Sequence, residues 1–125
     1  LLRDAQVRAL AGQPHQGQIP LGGYGIHVMT CSTPPCEVTL YADLDGSFTL
    51  DPGEEIQVVT LGTGVVIQAL SHNDPFDVVF KPPRPFICFG SDCSGIGQAT
   101  ITMGTVRSGA TTDIIIDQVS GRISP

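Results

Sequence analysis

Basic residues are scarce in this chain: Lys and Arg number 6 among 125 residues, against 12 Asp and Glu. A broad phosphate-binding surface needs clustered Lys and Arg, so nucleic acid is not the expected partner. No apolar run approaches the roughly 18 residues that would cross a bilayer, and no signal-peptide pattern of charged, apolar and small regions is present. Phosphate-cradling Gly loops are missing too, because Gly22, Gly23 and Gly25 precede a strand-like run and not a helix. Catalytic constellations are equally lacking. Ser71, His72 and Asp74 share a loop with Asn73 and Pro75, where such residues usually serve turn chemistry, and neighbours in sequence do not make a triad. Cys31 and Cys88 have no basic neighbour to depress a thiol pKa. A non-catalytic protein is expected.

What the chain does carry is turn residues: 15 Gly and 10 Pro. With charged residues at only 14%, against about a quarter in ordinary domains, a turn-rich β protein fits best. The length suits one domain over 1–125, divided into a helix stub (1–11), a Gln-, Gly- and Pro-rich loop (12–23) and a β-rich head (24–125). Period-two alternation marks strands at Tyr24 to Met29, with His27 on the solvent side, and at Glu37 to Ala42. Ile56 to Leu61 and Val65 to Leu70, joined through Gly62-Thr-Gly64, read as a hairpin. Asp77 to Lys81 is a further strand, and Pro82, Pro83 and Pro85 after it read as an edge or crossing loop. Gln98 to Met103 and Asp113 to Val119 close the chain as two joined strands.

The head is preceded by an amphipathic pattern. Leu1, Leu2, Ala5 and Ala9 fall within about a quarter turn of one another at roughly 100° per residue. Eleven residues of helix are marginal alone, so this stripe is expected to pack on the strands. The absence of any capping residue before Leu1 suggests the later part of a longer helix.

Two cysteine pairs share one spacing, Cys31 with Cys36 and Cys88 with Cys93. Four cysteines allow three connectivities; local pairing is the leading one, and a four-thiolate zinc site is the competitor. Disulfides would place the domain outside the reducing cytosol. One stretch offers a ligand site. Asp43, Asp45, Asp51 and Glu54 hold the first, third, ninth and twelfth places of a calcium-loop-like window. Its fifth place is Ser47, its sixth is Phe48 where such loops have Gly, and no helices flank it. Calcium is thus the one candidate cofactor, set against an exposed acidic turn that serves solubility.

The order helix stub, Gly12-Gln-Pro14 break, loop, Gly22-Gly-Tyr-Gly-Ile-His-Val28, Tyr41-Ala-Asp-Leu-Asp-Gly46 and Asp51-Pro-Gly-Glu-Glu55 resembles the soluble domain of type IV pilin-like proteins. Minor pseudopilins of type II secretion are the nearest kind. The segment Leu2 to Ala11 resembles that family's helix entering the head, and Asp113 to Ser124 its last strand. The resemblance implies an α+β fold, with a truncated N-terminal helix packed on antiparallel sheet. It implies a structural subunit of a pilus or secretion filament, with other pilin or pseudopilin subunits as partners. An apolar first half of the helix, lying before Leu1, would hold the precursor in the inner membrane. The alternative from the residues themselves is a secreted β-sandwich binding module, calcium-dependent, whose ligand loops are the two cysteine loops and the acidic turn.

Overall fold

The alternating strands require a partner for their apolar faces, and the chain supplies it with a second sheet. A computed structural model describes residues 5–8, 17, 21–81, 86–90, 92–94 and 96–124. Nine strands follow in order: β1 (Gly23–Val28), β2 (Glu37–Asp43), β3 (Glu55–Thr60), β4 (Val65–Leu70), β5 (Phe76–Lys81), β6 (Phe86–Phe89), β7 (Gln98–Thr105), β8 (Thr111–Asp117) and β9 (Ile123–Ser124). They form a five-stranded sheet, β3-β2-β1-β5-β6, and a four-stranded sheet, β4-β7-β8-β9. Every pairing is antiparallel.

One core unites the inner faces. Tyr24, Ile26 and Val28 of β1, Leu40 and Ala42 of β2, and Phe76, Val78 and Phe80 of β5 belong to the same buried cluster as Ile67, Ala99, Ile101 and Ile116 of the second sheet. Each fully buried large apolar side chain contributes about 1.5–3 kcal/mol. Ten such residues, with Ala42 and Ala99 between them, therefore outweigh the helical turn at residues 5–8, from which Ala5 joins the core. Gln6 ties this turn to the second sheet by donating to the Gly121 carbonyl at 3.1 Å.

This architecture corrects the α+β expectation and the pilin-like resemblance on which it rested. Those require a long helix as a packing layer, whereas the described chain is almost entirely antiparallel sheet, with helix only at residues 5–8. Of the expected stripe, Ala5 is buried; Leu1, Leu2 and Ala9 lie outside the described residues. So does the proline run at 82–85. The expected β3–β4 hairpin is also corrected. The Gly62–Gly64 turn carries the chain from one sheet to the other, so the two strands do not pair.

Outer faces differ. The five-stranded sheet has a second small core on its outside, where Tyr41, Val79 and Cys88 are buried beneath Phe48 and Leu50 of the β2–β3 loop. Gly25 makes room for this layer, since a Cβ there would stand 2.6 Å from Tyr41 Cζ. Disulfides Cys31–Cys36 and Cys88–Cys93 close the two cysteine loops. The first loop is joined to the second sheet by backbone bonds between Cys31 and Ile67 at 2.9 and 3.1 Å. Near the second, buried Gln118 donates to the Ile87 and Asp92 carbonyls at 2.8 and 3.0 Å. The bridges thus hold loops at the junctions between sheets, and their presence indicates an oxidising environment. Among the described residues no helix is long and apolar enough to cross a membrane.

Gly25→Ala is expected to lower stability by about 1–3 kcal/mol, the usual cost of overpacking. Urea unfolding checks it; a midpoint equal to that of the parent would show that Tyr41 has room to shift.

Candidate metal centre

The last residue of β2 is a carboxylate with no exposed surface. Asp43 is 0% exposed and Glu54, immediately before β3, is 3% exposed. An ionised carboxylate in such a place must be met by donors, and the loop between the two is folded to supply them. Asp43 Oδ1 accepts from the Ser47 backbone N–H at 3.1 Å and Oδ2 from that of Phe48 at 2.9 Å. Glu54 accepts from the N–H of Leu44 at 2.8 Å and of Asp51 at 2.9 Å. Asp45, exposed, accepts from the Ser47 N–H at 3.0 Å. The loop is therefore wrapped around its own carboxylates.

Oxygen atoms converge as a result. One carboxylate oxygen from each of Asp43, Asp45 and Glu54 lies within 4.8 Å of the other two. A single calcium ion with ligands at 2.3–2.6 Å reaches oxygens up to about 5 Å apart, so one ion can touch all three. Ser47 Oγ donates to Asp51 Oδ2 at 2.7 Å and stands 3.2 Å from the Thr49 carbonyl and 3.5 Å from Asp43 Oδ1. Asp51, the fourth carboxylate of the window, is not in that set of three and is tied to it through Ser47 Oγ.

The sixth place, which counted against calcium in the sequence, behaves differently in the fold. Phe48 has φ of 63°, the left-handed conformation for which calcium loops use Gly. A non-glycine residue there is strained and needs outside support. Its side chain supplies this by packing on Tyr41, Val79 and Cys88, with Lys81 Nζ 5.3 Å above the ring. Hydrophobic burial of one side chain holds the turn that glycine would otherwise permit.

Crowding shows in the acidities. Burial raises the Asp43 pKa to about 6, and the neighbouring Asp45 and Glu54 carboxylates add to the rise. Burial also raises Glu54. Hydrogen bonds from Ser47 hold exposed Asp45 down at about 2. Among the described residues, no Lys or Arg forms an ion pair with these carboxylates. A divalent cation would supply the missing counter-charge.

The other candidates are placed plainly. Ser71 Oγ is 3.1 Å from His72 Nδ1, but Asp74 instead accepts from the Thr30 N–H at 3.1 Å and from its hydroxyl, holding the first cysteine loop. No triad assembles from these three. A polar group missed in the sequence lies on the outer face of the larger sheet. There Tyr41 Oη donates to Asp77 Oδ1 at 3.0 Å and His27 Nδ1 to the same oxygen at 2.9 Å. The bond to Asp77 raises the His27 pKa, against the opposing effect of its partial burial. Burial, reinforced by Asp77, raises Tyr41. The strand alternation put His27 on the solvent side of its strand; nothing in it linked His27 to Tyr41 or Asp77.

Comparison with protein-family models, curated proteins and solved structures returns no match.

The raised Asp43 pKa fixes a sign. The native state holds this proton more tightly than the unfolded chain, so Asp43's share of stability is complete below the ordinary carboxylate range and is lost as pH rises through about 6. Without divalent ion, the stability difference between the parent and Asp43→Asn is expected to shift against the parent between pH 4 and pH 7. Urea midpoints across that range check it, and a difference independent of pH would contradict it.

Proposed function

We propose that this chain is a non-catalytic β-sandwich binding module of an oxidising compartment, and that it depends on calcium bound in the β2–β3 loop. The observation that supports this most is the convergence of Asp43, Asp45 and Glu54 within 4.8 Å, at loop places where calcium ligands belong. Asp51, Ser47 and the Thr49 carbonyl stand beside them in the same hydrogen-bonded loop. Calcium is favoured over magnesium by the donor set. Magnesium demands near-ideal octahedral geometry and keeps several waters, whereas an irregular cluster of carboxylate, hydroxyl and carbonyl oxygens suits the larger, more permissive ion.

In this proposal the ion acts through the loop. Calcium neutralises the crowded carboxylates and fixes the turn that seats Phe48 and Leu50 on Tyr41, Val79 and Cys88. Partner-facing surface then comes from the acidic loop and the two cysteine loops. The filament partners and inner-membrane anchor implied by the pilin resemblance rested on that resemblance alone.

Thermal melting at pH 7.5 tests the proposal. Saturating calcium is expected to raise Tm over the chelator-treated protein, since a ligand specific to the native state adds stability, by about 2.7 kcal/mol at a hundred times Kd. Glu54→Gln and Asp45→Asn are expected to remove most of that gain. Equal midpoints with and without calcium in the parent protein would overturn it.

A further inference from the structure

We propose a second, separate metal site on the outer face of the larger sheet, formed by His27, Met29 and Glu37 and suited to copper. It is independent of the calcium proposal. His27 sits in the middle of that sheet, opposite Thr39 on β2 and Asp77 on β5. Its Nδ1–H is committed to Asp77, a nearly buried carboxylate whose same oxygen is also held by the Tyr41 hydroxyl. That bond fixes the tautomer, because a carboxylate accepts only from a protonated nitrogen, and it leaves the lone pair on Nε2. A ring oriented in this way by a carboxylate is the arrangement that metal-binding histidines use.

The donors beside it match. Glu37 lies two residues before Thr39 on β2, so alternation puts it on the face that His27 shares, and Met29, just past the end of β1, lines the same concavity. His27, Met29 and Glu37 line one surface concavity of about 360 Å³. Met29 is 53% exposed, so its thioether is not engaged in packing the core. The neighbouring cysteines are oxidised, so no thiolate competes there. An imidazole nitrogen, a thioether sulfur and a carboxylate oxygen form a set for copper. The thioether selects the soft cuprous ion, and imidazole with carboxylate serves the cupric ion, which heads the affinity order of divalent metals. Calcium and magnesium, which need oxygen shells, have no place here.

Competition against a chromogenic cuprous chelator under anaerobic ascorbate tests the site, with cupric binding followed by electron paramagnetic resonance as a second arm. The parent is expected to hold one cuprous equivalent. Met29→Leu, an exposed change that leaves the core intact, is expected to weaken cuprous binding at least about tenfold, and His27→Gln to weaken binding of both ions. Asp77→Asn is expected to cost about 10–100-fold through misorientation of the imidazole. His72→Gln serves as the control and is expected to bind as the parent does. Three results would each overturn the proposal: no copper held in either state, parent-like cuprous affinity in Met29→Leu, or loss of binding in His72→Gln with retention in His27→Gln.

Discussion

A carboxylate without solvent must have its charge answered within the protein, and at Asp43 this requirement shapes everything around the β2–β3 connection. Asp43 closes β2 with no exposed surface. Its two oxygens draw in the N–H groups of Ser47 and Phe48, and this bends the chain back over the sheet. Glu54 does the same from the other end of the loop through Leu44 and Asp51. Gly22 is part of the same arrangement, because a Cβ there would overlap the Asp43 carboxylate. Backbone donors satisfy the oxygens but bring no full charge. Three carboxylates therefore remain crowded together, and Asp43 responds by holding a proton up to about pH 6. A bound calcium ion would exchange that proton for a counter-charge.

The loop and the sheet support each other. Folding back places Phe48 and Leu50 over Tyr41, Val79 and Cys88, so β5 is buried on both sides and the larger sheet gains a thin outer core. In return, that packing holds Phe48 in a left-handed conformation that its own side chain disfavours. Loosening the carboxylates would then expose the outer core, and disturbing the outer core would release the turn. The same face carries Tyr41, Asp77 and His27, so the polar residues of the outer sheet and the acidic loop share Tyr41 as a neighbour. The disulfide loops complete the frame by fixing chain at the junctions between the two sheets.

Much of the strand framework was legible because it follows from period-two burial. Tyr24, Ile26 and Val28 alternate in sequence and all three are buried on one face. Sheet membership was not legible. Gly62-Thr-Gly64 gives the same turn signal whether the next strand pairs back or crosses to another sheet, and only the core decides between them. β6 escaped notice because its four residues, Cys88 among them, follow directly on a proline run and show no period. The helix stub looked like an organising layer because a stripe of Leu and Ala fits a helix whatever surrounds it. The helical turn at residues 5–8 instead sits beside a core made by two sheets. Carboxylate spacing at 43, 45, 51 and 54 was visible; the φ of Phe48 was not, since it depends on Val79 and Cys88 far along the chain. The His27–Asp77 contact spans 50 positions and was beyond any local pattern.

The calcium-bound loop is tested most directly by following backbone amide resonances during a calcium titration at pH 7.5. The expected result is saturable shifts at one equivalent, largest for the amides of residues 44–54 and carried to Tyr41 and Val79 beneath Phe48. Shifts absent from this loop, or linear and unsaturated across it, would contradict a calcium site built on Asp43, Asp45 and Glu54.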